Sequence, residues 1–413
     1  MSPALRQSGA RPIHLAPFGL HARMMLGAYL RHTLMIAAAL MTIALTIDLW
    51  PQVPMLAADP SQGSGVLFLF SLVRLAVLRL PDLLPPFIPF ATFLGVVWTE
   101  SAFTESRERL LVWNSGRSPL YCMVPPLLMG LLMGLLLFTV DGLLRPAAIH
   151  VQIEEVLGRE GKRLDRARSG GAHWIALPDG LLRAEIEYGP PVRLHNATIY
   201  KLDVNGHLSE VDSAVEAVPL GGDRWRLLEG RAWSATAHSG TEVTLGDNSE
   251  EIEVPFGEKT IALSLNTLWL HNIGLSPQYL HLPDIYTLAH ADIFARDGSG
   301  YRTRFQALLS GPLLTCAMAL LAAALSLRYF AYRTQAFALV AVLLTGYLSH
   351  FMVRALYLMG EFGYVPAPVA GWMPPLLILA LALGVLLLIQ RDRGLAWSLR
   401  DRPDVRVGRP ISR

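Results

Sequence analysis

Thr33-Leu-Met-Ile-Ala-Ala-Ala-Leu-Met-Thr-Ile-Ala-Leu-Thr-Ile-Asp-Leu-Trp50 carries a single charge, Asp48. A helix needs about 20 mostly apolar residues to cross a bilayer, and this run meets that length. No small-residue cleavage site follows it, so we expect an uncleaved span and not a signal peptide. Five further runs behave alike: Pro81 to Thr99, Tyr121 to Val140, Phe305 to Leu327, Ala336 to Leu358 and Trp372 to Gln390. Before the second of the six, residues from Gly65 to Leu80 form an amphipathic stretch expected to lie at the membrane surface. Composition agrees: 52% of the 413 residues are hydrophobic and 16% charged, against about 25% charged in ordinary globular proteins. A net charge of +2 gives no bulk argument for nucleic-acid binding. Cys122 and Cys316 both lie in apolar segments and are expected to pack, not to bridge or bind metal.

Lys and Arg in short flanking loops stay on the cytoplasmic side. Arg6, Arg11, Arg23 and Arg31 precede span one; Arg107, Arg109 and Arg117 lie between spans two and three. Arg328 and Arg333 lie between spans four and five, and the tail from Arg391 to Arg413 is strongly basic. Pro51 to Ser64 has no basic residue, and Gly360 to Gly371 has only Glu361 as a charge. The rule therefore predicts both termini in the cytoplasm and residues 146–300 outside. The expected layout is a tail over 1–32, spans one to three over 33–145, an outer domain over 146–300, spans four to six over 301–390, and a basic tail over 391–413.

The outer domain reads as all-β. Turn signals recur at short intervals, such as Leu177-Pro-Asp-Gly180, Asp203-Val-Asn-Gly206 and Gly221-Gly-Asp223. Ala197 to Asp203, then Asn-Gly, then His207 to Val211 predicts a hairpin with a type I′ turn. This spacing predicts a sandwich or jelly roll, flanked by helices over Ala147 to Asp165 and Pro283 to Arg296.

Self-contained catalytic machinery is not legible. The chain has no Gly-x-x-x-x-Gly-Lys-Ser/Thr phosphate loop, no His-Glu-x-x-His and no Gly-x-Ser-x-Gly. Its twelve histidines lack metal-ligand spacing. The informative inner element is Glu105-Ser-Arg-Glu-Arg-Leu-Leu-Val-Trp-Asn-Ser-Gly-Arg-Ser-Pro119. Phe103, Leu110, Leu111 and Trp113 supply apolar surface, Glu105, Glu108 and Arg109 are polar, and Gly116 is placed to end a helix. A short amphipathic helix over 103–117 between two spans can dock a soluble motor, or only anchor a loop.

Glu108 to Ser118 resembles the Glu-x₇-Gly-x-Ser coupling helix of the LptF/LptG permease family, with Arg107-Glu108-Arg109 where that family often has Ser-Glu-Leu. Pro81 to Gly95 is similar to its second span, and Pro366 to Pro374 to the entry of its last. Ala197 to Leu208 with Trp225-Arg-Leu resembles its periplasmic jelly roll, closer to LptG than to LptF. The resemblance implies a six-span permease of the bacterial inner membrane, with a jelly roll inserted between spans three and four. It implies a lipopolysaccharide exporter shared with a paralogous LptF-like permease, an LptB-like ATPase dimer and an LptC-like single-span jelly-roll protein. ATP and Mg would then be used by the ATPase, with no cofactor on this chain. It also implies coupling through Glu108, Glu105, Arg109, Leu111 and Gly116.

An anionic glycolipid needs apolar walls and a few cations at phosphate level. His350 and Arg354 lie four apart in the outer half of span five, where a charge faces a cavity, a partner or the headgroups. Arg145, Arg302 and Arg304 are the next candidates at the outer rim, ahead of Arg74 and Arg79, which also suit snorkelling to lipid phosphates. Asp48 is expected to cap or pair between helices. The competing class is a membrane enzyme acting on lipid-linked saccharide. It would need acid and base groups among Glu185, Glu187, His207 and Asp212, whose spacing suits solvated strands. A permease for another lipid or for lipoproteins is the third alternative, and a scaffold the fourth.

Overall fold

The computed structural model describes residues 20–57, 65–109, 121–234, 253–291, 297–330 and 335–400. Helices α1 (Leu20–Leu49), α2 (Val53–Ala57), α3 (Gly65–Leu83) and α4 (Ile88–Glu105) open the chain. Helix α5 (Val124–Thr139) runs through a π turn, Val140–Leu144, into α6 (Arg145–Glu154), and α7 (Gly158–Ser169) follows. After the sheet come α8 (Thr267–His271), α9 (Leu282–His290), α10 (Asp297–Tyr329), α11 (Ala336–Glu361) and α12 (Ala367–Arg400).

Five helical stretches among the described residues are long and apolar enough to cross a membrane: Ala22–Leu49, Val124–Glu154, Gly298–Tyr329, Ala336–Glu361 and Ala367–Arg391. The stretch expected as span two is divided. Pro81 lies inside α3, and the break falls after Leu83, at the Pro85-Pro86 pair. α4 then begins at Ile88 with a proline in its first turn, where the missing N–H has no cost.

The helical core forms around α10, which is nearly enclosed. Ala317, Ala319 and Ala322 to Ala324 have no exposed surface. α5 packs closely against it, because Gly130 and Gly134, one turn apart, remove side chains from the seam. A Cβ at Gly130 would lie 2.8 Å from the Cys316 Cα, and one at Gly134 would lie 2.8 Å from the Pro312 Cα. Small residues at this spacing let membrane helices meet backbone to backbone.

The β region is one antiparallel sheet of six strands in the order β1-β2-β3-β4-β5-β6. They span His173–Leu177, Gly180–Glu187, Arg193–Leu202, Leu208–Gly221, Arg224–Ser234 and Val254–Ala262. The alternation along the strands matches the expectation; the topology of the described strands does not. Every strand pairs with its neighbour in sequence, giving a meander, whereas a jelly roll needs non-sequential neighbours. One face is apolar, with Leu182, Leu194, Trp225 and Leu227 fully buried beneath Leu263, Leu265 and Leu270 of the following segment. Asn266 starts that cover by accepting the Leu268 and Trp269 N–H groups at 2.9 and 3.1 Å.

The β3–β4 hairpin forms where expected, with a different turn. Gly206 has φ +83° whereas Asn205 is not in the positive region, so this is not a type I′ turn, which needs both. The Asp203 carboxylate accepts the Asn205 and His207 N–H groups at 2.8 and 2.9 Å and sets a wider loop. The outward helix expected over 147–165 is two helices, broken where Val156 and Gly158 adopt φ +51° and +69°. Of the helix expected over 283–296, Leu282–His290 is present, and 292–296 lie outside the described residues.

Candidate functional site

Between α5, α10 and α11 lies a cavity of about 410 Å³. Leu137, Phe138, Leu308, Leu314, Met318 and Val353 form its apolar wall, and Pro85, Pro86 and Pro89 close one side. Its polar end holds Asp141, Arg145, Arg304, His350, Arg354 and Glu361. Four of the five cations expected to face substrate therefore line one cavity, although they come from helices far apart in sequence. Arg302 is half-buried on α10 and does not line it.

The local backbone explains how the polar end is built. Pro146 lacks an N–H, so a regular helix through 140–146 would leave a carbonyl without its donor. The chain answers with the π turn, in which the Arg145 N–H bonds the Val140 carbonyl. In that register the Asp141 carbonyl would need the N–H of residue 146, which is proline. Arg304 fills the vacancy: its Nη2 donates to the Asp141 carbonyl at 3.0 Å and its Nη1 to Asp141 Oδ2 at 2.7 Å.

Asp141 belongs to a longer alternation of charges. Its Oδ1 accepts Arg145 Nη1 at 2.8 Å, and Arg145 reaches Asp82 Oδ1 at 2.8 Å through Nε and Nη2. Arg79 Nη1 lies 2.9 Å from Asp82 Oδ2, and Tyr279 donates to that oxygen at 3.3 Å. Arg79 then clasps Asp48 with Nε and Nη2 at 2.7 and 2.8 Å. All six side chains are no more than 13% exposed. Three carboxylates against three guanidinium groups make the chain neutral, which is how charges persist in an apolar setting. Arg79 is thus not a snorkelling residue, and Asp48 is its interhelical partner. Arg74 pairs with Glu155 at the surface.

Arg354 stands apart. Among the described residues it has no carboxylate within ion-pair distance, and it is exposed on α11. His350, one turn away, lies against the Phe90 ring, with centroids 5.3 Å apart.

The opposite end of the helices holds the residues expected to couple to a motor. Glu105 ends α4, and Glu108 is exposed. Arg109 is instead buried, 8% exposed, and pairs with Glu100, to which Tyr29 also donates. It reaches the Ser326 carbonyl at 3.4 Å, and Thr104 donates to the Phe330 carbonyl at 2.9 Å. Arg109 therefore holds the end of α4 to α10 and presents no docking surface. Leu111 and Gly116 lie outside the described residues.

On the sheet, Glu185, Glu187 and His207 are exposed as expected of solvated strands. Asp212 is not: its side chain is fully buried and bonds Lys259 Nζ at 2.6 Å, with Lys201 Nζ at 3.7 Å. Glu210 bridges the same lysines at 2.7 and 2.8 Å. Two carboxylates held by two lysines form a structural cluster, not a free acid and base.

Sequence reasoning missed Asp82 and Asp141. The available signal was a carboxylate at the end of an apolar helix, which by its cost demands a partner.

The chain matches the family model described as lipopolysaccharide export system permease LptF/LptG over residues 23–389. No curated protein matches it. The family match runs from α1 to α12 and takes in the sheet, so the chain is a multi-pass membrane protein that belongs to the LptF/LptG family of lipopolysaccharide export permeases.

Proposed function

We propose that this chain is one of two permease subunits of an ATP-driven exporter, and that lipopolysaccharide occupies the cavity between α5, α10 and α11. The observation carrying this reading is the pairing of an apolar wall with a polar end in which Arg354, among the described residues, has no carboxylate within ion-pair distance. The acyl chains pack on Leu137, Leu308 and Val353, and a phosphate meets Arg354 with His350 beside it. Arg145 stands behind this contact as a brace, since Asp141 and Asp82 already neutralise it, and Arg304 lies on the same wall paired with Asp141 alone. The second subunit is a paralogous LptF-like six-span permease. α4 counts as span two and brings this chain's spans to six, with both termini cytoplasmic and the sheet periplasmic.

The motor is an LptB-like ATPase dimer. It docks through Glu105 and Glu108, with Leu111 and Gly116 completing the contact, and uses ATP and Mg. Arg109 carries the stroke inward by holding α4 to α10. An LptC-like single-span protein receives the lipid from the sheet. The test is extraction of the tagged full-length chain in mild detergent. Co-purification of an ATPase, a second six-span permease and a single-span jelly-roll protein is expected. Recovery with cell-wall enzymes and no ATPase would overturn the reading in favour of a membrane enzyme.

A further inference from the structure

Two guanidinium groups converge on the Asp141 carboxylate in the cavity wall, one on each oxygen, both within 2.8 Å. They are not held equally. Arg145 keeps Asp82 at 2.8 Å if it loses Asp141. Arg304 has no second carboxylate within ion-pair distance among the described residues, and its Nε is buried without a hydrogen-bond partner. A guanidinium has five donors in a fixed fork and suits a phosphate as well as a carboxylate. Arg304 is therefore a cation on the cavity wall with donor capacity to spare and one partner to exchange.

That partner sits on a π turn, to which an ordinary α register is the alternative. In the π turn the Arg145 N–H bonds Val140 and leaves the Asp141 carbonyl to Arg304. In an ordinary α register the Arg145 N–H would return to the Asp141 carbonyl and displace Arg304 from it. One shift in main-chain bonding thus displaces the hydrogen bond that Arg304 Nη2 donates to the Asp141 carbonyl and leaves the carboxylate contact as its remaining hold. Arg354 also lines this end and, among the described residues, has no carboxylate within ion-pair distance, so a phosphate entering beside it meets a second cation once Arg304 is released.

We infer that Asp141 is a resident counter-ion that the substrate's phosphate replaces: it holds Arg304 in the unloaded cavity, yields it to the bound lipid, and reclaims it as the lipid leaves. The inference rests on the reading of the cavity as the lipopolysaccharide site. Asp141 is a positioning residue in this scheme, acting on substrate through Arg304. It makes release possible, because a phosphate held by two uncontested arginines would stay.

The test uses the purified complex containing the full-length chain, with fluorescent lipopolysaccharide and the same lipid enzymatically stripped of phosphate as probes. Asp141→Asn is expected to bind the phosphorylated lipid about tenfold more tightly and release it more slowly, a single charge pair's worth of affinity. Asp141→Glu should behave as wild type, and the stripped lipid should not distinguish the variants. The double variant Asp141→Asn/Arg304→Gln should lose the gain. A second measurement needs no variant: carbodiimide labelling of Asp141 in the wild-type complex, read by mass spectrometry, should rise with phosphorylated lipid and not with stripped lipid. Unchanged affinity in Asp141→Asn, an equal change with both lipids, or labelling indifferent to lipid would overturn the inference and leave the cavity reading standing. Failure of the wild-type complex to bind lipopolysaccharide would overturn both.

Discussion

Arg79 grips Asp48 with two parallel hydrogen bonds, Nε to Oδ2 at 2.7 Å and Nη2 to Oδ1 at 2.8 Å, joining α3 to α1 across 31 residues of sequence. The pair is almost dry, with side-chain exposures of 5% and 13%. By contrast, Arg74 on α3 and Glu155 at the end of α6 are 46% and 36% exposed.

Removing one member of a buried pair leaves an uncompensated charge and costs about 3–5 kcal/mol. An exposed pair contributes under about 1 kcal/mol. Arg79→Gln should therefore lower the unfolding temperature of the detergent-solubilised protein markedly, and Arg74→Gln should barely change it. Equal effects would show that the alternating charge chain is not holding α3.

The α5–α10 seam makes a steric prediction. A side chain at Gly134 meets the Pro312 backbone, so Gly134→Val should destabilise by about 1–3 kcal/mol through overpacking. Gly384→Ala, with nothing near its Cβ, should be neutral or slightly stabilising. Thermal unfolding of the two variants side by side checks this.

How much of this was legible follows from the range of each signal. Five of the six apolar runs and the strands were legible because run length and alternation are local signals. The start of span two was misplaced because Pro81 looked like a helix opener, whereas the break lies at Pro85-Pro86, where the chain turns between α3 and α4. Strand spacing gave the β class, but it carries no information on which strand neighbours which, so the meander was not foreseen. The cavity cations were named from charge in apolar surroundings. Their carboxylate partners were not, because Asp82 to Arg145 and Asp141 to Arg304 span 63 and 163 residues. The burial of Arg109 was legible only in part: Glu100 lies nine residues before it on α4, but the carbonyl of Ser326 that completes its contacts is distant in sequence.

The lysine cluster on the sheet predicts a pH dependence. Burial alone would raise the Glu210 pKa, but hydrogen bonds and charge from Lys201 and Lys259 outweigh it and hold the carboxyl below its ordinary value. A lowered folded pKa gives stability that is complete above the ordinary carboxylate value of about 4.3 and is lost as pH falls through the folded one. Lys259 is raised: burial opposes its charge, and Asp212 and Glu210 more than compensate. Its contribution is complete below about pH 10.4 and lost at higher pH. Hydrogen exchange in β4 and β6 should thus accelerate below about pH 4 in wild type, and less steeply in Glu210→Gln. Identical profiles would contradict the assignment.

Glu108 is exposed just beyond α4. If it meets a basic group on the ATPase, Glu108→Arg should cost on the order of 2–5 kcal/mol of docking. The expected outcome is weaker ATPase recovery, or ATP hydrolysis no longer coupled to transport. Because Arg109 is folded inward, Arg109→Ala should instead lower the stability of the chain itself. Wild-type assembly and transport in Glu108→Arg would remove Glu108 from the interface.

The most direct test of the central claim is photo-crosslinking in living cells from Leu358, an exposed residue on the cavity wall. The account predicts a covalent lipopolysaccharide adduct that falls at least several-fold when Arg354→Glu is introduced, with ATPase docking intact. No adduct, or one indifferent to the charge at position 354, would contradict it.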